Sequence, residues 1–142
     1  MSNFLEASVE MINDKMMFRG ISGDNPAVIT DYIPPYGDGK GYMPLQLFLI
    51  SFASCLGGSI SVLVKKMGRH MNGLSIDVKG TRREQHPTSF ESIAFDVRLV
   101  SVDMTDEEMQ KALKASEEKL CPVWAMIKGN VAVETSFSIT RG

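Results

Sequence analysis

Cysteine is scarce in this chain of 142 residues, which has only Cys55 and Cys121. They lie far apart and in neither a CxxC nor a zinc-finger spacing, which excludes a disulfide-framework domain. An excess of one charge is also missing. Fifteen Lys and Arg face 17 Asp and Glu, for a formal net charge of −2 and a pI of about 5.7. With no broad basic face, nucleic acid and anionic membrane surfaces are not expected partners. Histidine is limited to His70 and His86, and no pairing of these with each other or with the cysteines has ligand spacing, so neither a metal nor another cofactor is expected. The first residues, Met1 to Glu6, lack a basic stretch followed by an apolar run. No signal peptide is therefore expected, and a cytoplasmic location is. What remains is ordinary: 44% hydrophobic residues, enough for a single domain over 1–142 that buries roughly two-thirds of its unfolded surface.

Charge is absent altogether between Gly41 and Val64. That stretch is long enough to cross a bilayer, which takes ~20 apolar residues. Gln46, Ser51, Ser54, Ser59, Ser61 and the Gly57-Gly58 pair interrupt it, and such interruptions are costly in lipid. A helix that is apolar all round because it lies inside the protein is the better account. Pro44 opens it as a first-turn proline and Gly68 ends it. Ala53 with Gly57, and Ser54 with Gly58, set small residues one turn apart and leave room for another backbone, including one from a second subunit.

Before this helix, Leu5, Ala7, Val9 and Met11 alternate with polar residues, as in a strand with one dry face. Asn13-Asp14 turns the chain into a strand from Lys15 to Ile21, and a second turn leads to a short strand from Ala27 to Tyr32. The segment from Pro34 to Gly41, rich in proline and glycine, reads as an ordered loop or a mobile lid. Its Gly37-Asp38-Gly39-Lys40-Gly41 is not a phosphate loop, because no GK[ST] follows. After the helix, Leu74, Ile76 and Val78 form one half-buried strand, and Ile93, Phe95, Val97 and Leu99 form another. Thr105-Asp106-Glu107-Glu108 is a capping box opening an amphipathic helix. Cys121-Pro122 starts a shorter helix closed by Gly129, and Val131 to Ile139 is a last strand. The order gives an α+β fold in which an antiparallel sheet wraps around a long buried central helix.

Local chemistry leaves both thiols open to two readings. Cys55, mid-helix, is either a small core residue or a reactive group. Cys121, at a helix N-terminus, is either a cap or a thiol whose pKa the helix dipole lowers. Ser54, Ser59 and Ser61 have no His and Asp near them in sequence, which argues against a serine hydrolase.

Taken together, Pro44-Leu45-Gln46-Leu47-Phe48, Ala53-Ser54-Cys55, Arg82…His86-Pro87…Phe90…Ile93 and Cys121-Pro122-Val123 resemble the OsmC/Ohr family from about Arg19 to the last strand. The resemblance implies an intertwined homodimer that reduces organic hydroperoxides, with Cys55 peroxidatic, Cys121 resolving, and a dithiol such as a lipoyl group as reductant. It implies further that an arginine from the N-terminal strands stabilises the reacting thiolate, and Arg19 is the candidate, with a solvent-facing strand arginine as the competing reading. Family peroxidases hold that arginine with a Glu one or two residues after the proline. Here those positions are Leu45 and Gln46, and Gln46 offers a hydrogen bond without charge. Weaker peroxidase activity is the expectation. Gln46, Phe48, Phe52, Trp124 and Met126 are the candidate substrate-binding residues, the aromatic and thioether side chains pointing to an apolar hydroperoxide. The alternative is a binding or redox-sensing protein on the same fold that holds a small apolar ligand without efficient turnover.

Overall fold

The structure, a computed structural model, describes residues 3–142. The chain divides into two compact units, Met1–Phe48 and Leu49–Gly142.

The first unit is built on an antiparallel sheet of three short strands, β1 (Ser8–Met11), β2 (Phe18–Ile21) and β3 (Val28–Thr30), in that order. The strands are shorter than the sequence pattern suggests. Leu5 and Ala7 precede β1, and Leu5, Val9 and Met11 are exposed in this chain rather than forming a dry face. The Pro34–Gly41 segment is an ordered loop, and the reason is Asp31. Its fully buried carboxylate accepts the amides of Tyr32, Asp38 and Lys40 at 2.8, 3.2 and 3.1 Å. Burial works to raise the Asp31 pKa, but these amides and the charge of Lys15 outweigh it and hold the carboxyl below its ordinary range. Gly37 is required here, because a Cβ would collide with the Asp31 carboxylate and the Tyr32 backbone. Lys15 clips the loop from outside through Asp38, 2.7 Å away.

Helix α1 runs from Pro44 to Lys66. Pro44 starts it, and beyond its end Gly68 takes a positive φ of 71° that a side chain would resist. By length and composition α1 could cross a membrane, yet its buried residues, Phe52, Leu56, Ser59, Ile60 and Val64, recur at three to four positions and define one face. The helix is therefore not apolar on all sides for burial's sake: Ile50 and Val62 are each 49% exposed.

The second unit holds a sheet in the order β4-β5-β6, comprising Gly73–Arg82, Phe90–Val100 and Ala132–Thr140. Along β5 the side chains of Ile93, Phe95, Val97 and Leu99 are buried while Ala94, Asp96 and Arg98 are exposed, the alternation of a strand with one covered face. On the outer face Asp77 and Asp96 are paired across β4 and β5. Arg98 relieves their repulsion by reaching both, at 2.8 and 2.9 Å. The sheet is mixed rather than wholly antiparallel. β4 and β5 run antiparallel, but β6 runs parallel to β5, because the helices between them carry the chain back across the sheet before β6 begins.

Those helices are α2 (Asp106–Ala115) and α3 (Pro122–Ile127). Thr105 and Glu108 complete the capping box of α2 in both directions. Between the helices, Ser116–Leu120 form a wide π turn that closes with the Cys121 amide on the Ser116 carbonyl at 2.9 Å. The core of this unit is a cluster of Phe52, Phe95 and Trp124. Phe52 meets Phe95 edge to face with ring centroids 4.7 Å apart, and Trp124 at 5.8 Å, the geometry favoured by aromatic quadrupoles.

Candidate functional site

Cys55 sits midway along α1, one turn beyond buried Phe52. Its backbone carbonyl accepts the Ser59 hydroxyl at 3.0 Å, which satisfies that buried polar side chain within the helix. Cys121 is the residue just before α3. The proline at 122 disfavours a helical conformation in its predecessor, and Cys121 is accordingly extended, with φ −82° and ψ 105°.

These two local arrangements set the two sulfur atoms 2.9 Å apart, with Cys121 Sγ–H donating to Cys55 Sγ. Both cysteines are free thiols. Disulfide sulfurs are bonded at about 2.05 Å, so closing the pair requires a shift of the order of 1 Å and no unfolding. The two are not equivalent. Cys121 is 2% exposed whereas Cys55 is only half-buried, so a reagent entering from solvent reaches Cys55 first.

Of the two readings of Cys121, the structure corrects the one in which the helix N-terminus lowers its pKa. Burial pushes this thiol up, and the hydrogen bond it donates to Cys55 pushes in the same direction, to about 11. The amides of Trp124 and Val123 act the opposite way and are outweighed. The helix is short and its dipole does not compensate for the loss of water. At pH 7 Cys121 is therefore a protonated hydrogen-bond donor facing the Cys55 sulfur.

The remaining candidates fall into three groups. Phe52 and Trp124, each three residues from one of the cysteines, are core residues, 0% and 5% exposed. Met126 points away from the core and is 76% exposed. Gln46, Phe48 and Arg19 belong to the first unit. The Gln46 side-chain oxygen accepts the Met43 amide at 2.9 Å, the helix-end half of a capping box, and thereby closes the N-terminus of α1. Arg19 is exposed on β2, where the register sets it opposite Glu10 on β1 and Ile29 on β3. Phe95, which sequence reasoning assigned only to a strand, completes the aromatic cluster around Phe52. The π turn before Cys121 has no signal of its own in the sequence, since Ser116-Glu117-Glu118-Lys119-Leu120 continues the polarity and helix-forming composition of α2. The residue that bears on it, Pro122, was visible only as a helix starter.

A mid-helix thiol met by a second thiol from a later turn, on an α+β framework with a mixed three-stranded sheet, defines a paired-cysteine protein. The family model described as OsmC-like protein matches residues 37–136, and the chain belongs to that family. Among curated proteins it is similar to an organic hydroperoxide resistance protein-like protein of Staphylococcus aureus, 30% identical over 121 residues that make up 82% of this chain and 84% of that one. Among solved structures it superposes on a hypothetical protein from Aquifex aeolicus with a TM-score of 0.86, at 26% identity over 99% of both chains. The OsmC-like protein from Mycoplasma pneumoniae shares the fold at a TM-score of 0.80, with 18% identity over 99% of each chain.

Proposed function

We propose that this protein reduces organic hydroperoxides with its cysteine pair. The observation that carries the reading is the 2.9 Å approach of a protected, protonated Cys121 to an accessible Cys55. The Cys55 thiolate attacks the distal peroxide oxygen and breaks the O–O bond, giving Cys55 sulfenic acid and an alkoxide that takes up a proton as the alcohol. The Cys121 thiol then displaces hydroxide from the Cys55 sulfur. Its proton leaves with that hydroxide as water, and a Cys55–Cys121 disulfide remains. A dithiol such as a lipoyl group reduces the disulfide by exchange and is itself oxidised to a cyclic disulfide. The name of the Staphylococcus aureus relative supports the substrate class.

Thiolate formation alone is not enough. Lowering a cysteine pKa of ~8.5 by three units gains about thirtyfold in thiolate at neutral pH, but a Brønsted coefficient of ~0.4–0.5 returns roughly fifteen- to thirtyfold in lost nucleophilicity. A positioned cation that stabilises charge on the departing oxygen contributes ~3–4 kcal/mol in a dry site. Arg19 is the residue proposed for that role, and family resemblance is its support. Gln46, already engaged with the Met43 amide, holds an arginine less firmly than a carboxylate, so turnover is slower than in relatives that keep the Glu.

The protein works as a homodimer in this reading. Exposed Val9 and Met11 in the first unit, exposed Ile50 and Val62 in the second, and Gly58, where an added Cβ would meet nothing within 4 Å, are surfaces suited to a second copy.

Steady-state reduction of cumene hydroperoxide with dihydrolipoamide as electron donor tests the proposal. Turnover by the wild type and its loss in Cys55→Ser are expected. Turnover that survives in Cys55→Ser, or an inert wild type, would overturn it.

A further inference from the structure

We infer that the π turn Ser116–Leu120 is the device that presents Cys121 to Cys55, with Ser116 and Pro122 as its positioning residues. The inference rests on the cysteine-pair reading above. In an unbroken α-helix the Ser116 carbonyl would accept the Leu120 amide, four residues on. Here it accepts the Cys121 amide, five residues on. One residue of α-helix corresponds to about 100° of rotation and 1.5 Å of rise. The extra residue therefore brings Cys121 over Ser116, where α register would bring Leu120, the side chain that is instead 39% exposed.

Nothing inside the turn breaks a helix, since Glu117, Glu118, Lys119 and Leu120 are all good helix formers. The cause lies at its two ends. At the far end Pro122 holds Cys121 extended and denies it an α conformation. At the near end Ser116 is fully buried, and its hydroxyl donates to the Ala112 carbonyl at 2.8 Å, a back-bond that bends helices. Ser116 thus anchors the turn through its side chain to α2 and through its carbonyl to Cys121. Single π turns of this kind concentrate at functional sites because they re-aim one side chain without dissolving the helix.

The turn acts on closure of the disulfide, which separates its test from that of peroxide chemistry. Wild type, Pro122→Ala and Ser116→Ala are each oxidised in two ways, with cumene hydroperoxide in the presence of dimedone and with diamide alone. Formation of the Cys55–Cys121 disulfide is followed by peptide mass spectrometry and by the fluorescence of Trp124. Pro122→Ala frees the chain to continue in α register, and closure relative to Cys55 oxidation is expected to slow about a hundredfold, the scale on which a misplacement of about 1 Å is felt. Dimedone-trapped Cys55 sulfenate accumulates in consequence. Ser116→Ala, which removes only the anchoring hydroxyl, is expected to shift the same ratio several-fold. Folded variants that close as fast as wild type with both oxidants would overturn the inference. A wild type that forms no sulfenate with the hydroperoxide yet closes rapidly with diamide would overturn the peroxidase reading alone, while the diamide comparison still decides the role of the turn.

Discussion

Gln46 shows how one side chain serves a helix and bears on the proposed clamp. As the third residue of α1 it returns to the Met43 amide, and a glutamate can make the same hydrogen bond while adding a charge that the helix N-terminus favours. Gln46→Glu should therefore fold as well as wild type and raise hydroperoxide turnover several-fold by holding the proposed arginine more tightly. A rate unchanged or lowered in the dihydrolipoamide assay would remove the argument for a weakened clamp. Cys121 carries the opposite lesson. Position in sequence, at the mouth of a helix, leaves a cap residue and an acidic thiol both open, but burial and its neighbour Cys55 raise its pKa to about 11. Helix ends are legible from sequence. Loss of solvent is a property of packing and is not.

Among the elements, several follow from local signals, although the alternation from Leu5 to Met11 does not mark a covered face in this chain. The alternation along β5, the Pro44 start of α1 and the α2 capping box all follow from residues within a few positions of one another. The cap is energetically meaningful: Thr105→Ala should cost about 1 kcal/mol, measurable as a lowered urea midpoint. An unchanged midpoint would mean that Glu108, also held by Arg69 at 2.9 Å, caps the helix unaided. What the sequence concealed was long-range. The direction of β6 depends on where α2 and α3 deliver the chain, and the pattern of Val131 to Ile139 is the same for parallel and antiparallel partners. Likewise, the π turn has no compositional signature of its own, and the one face α1 buries was masked by apolar residues around its whole circumference. The thiol pair was named from a resemblance. Its geometry depends on the fold of α1, the π turn and Pro122 acting together.

For the molecule as a whole, stability in acid is tied to Asp103. Its carboxylate accepts the His70 amide at 2.9 Å and the His70 ring at 2.8 Å, joining the segment after α1 to the segment after β5. The amide, then the ring, hold its pKa at about 2, below the ordinary 3.8. A folded-state pKa depressed in this way stabilises the protein above about pH 4, and that contribution disappears as pH falls through about 2. Asp103→Asn should accordingly be less stable than wild type at neutral pH, with the two urea midpoints converging between pH 4 and 2. A gap that stays constant over this range would show that the ion contributes nothing through its charge.

At the same scale stands the proposal that the two thiols, one half-buried and one buried, act as an oxidisable pair. Titration of the reduced protein with cumene hydroperoxide, with thiols counted chemically and peptides examined by mass spectrometry, tests it most directly. The account predicts that one equivalent of peroxide consumes both thiols and yields a Cys55–Cys121 cross-link. Thiols that remain intact after excess peroxide, or oxidation confined to Cys121, would contradict it.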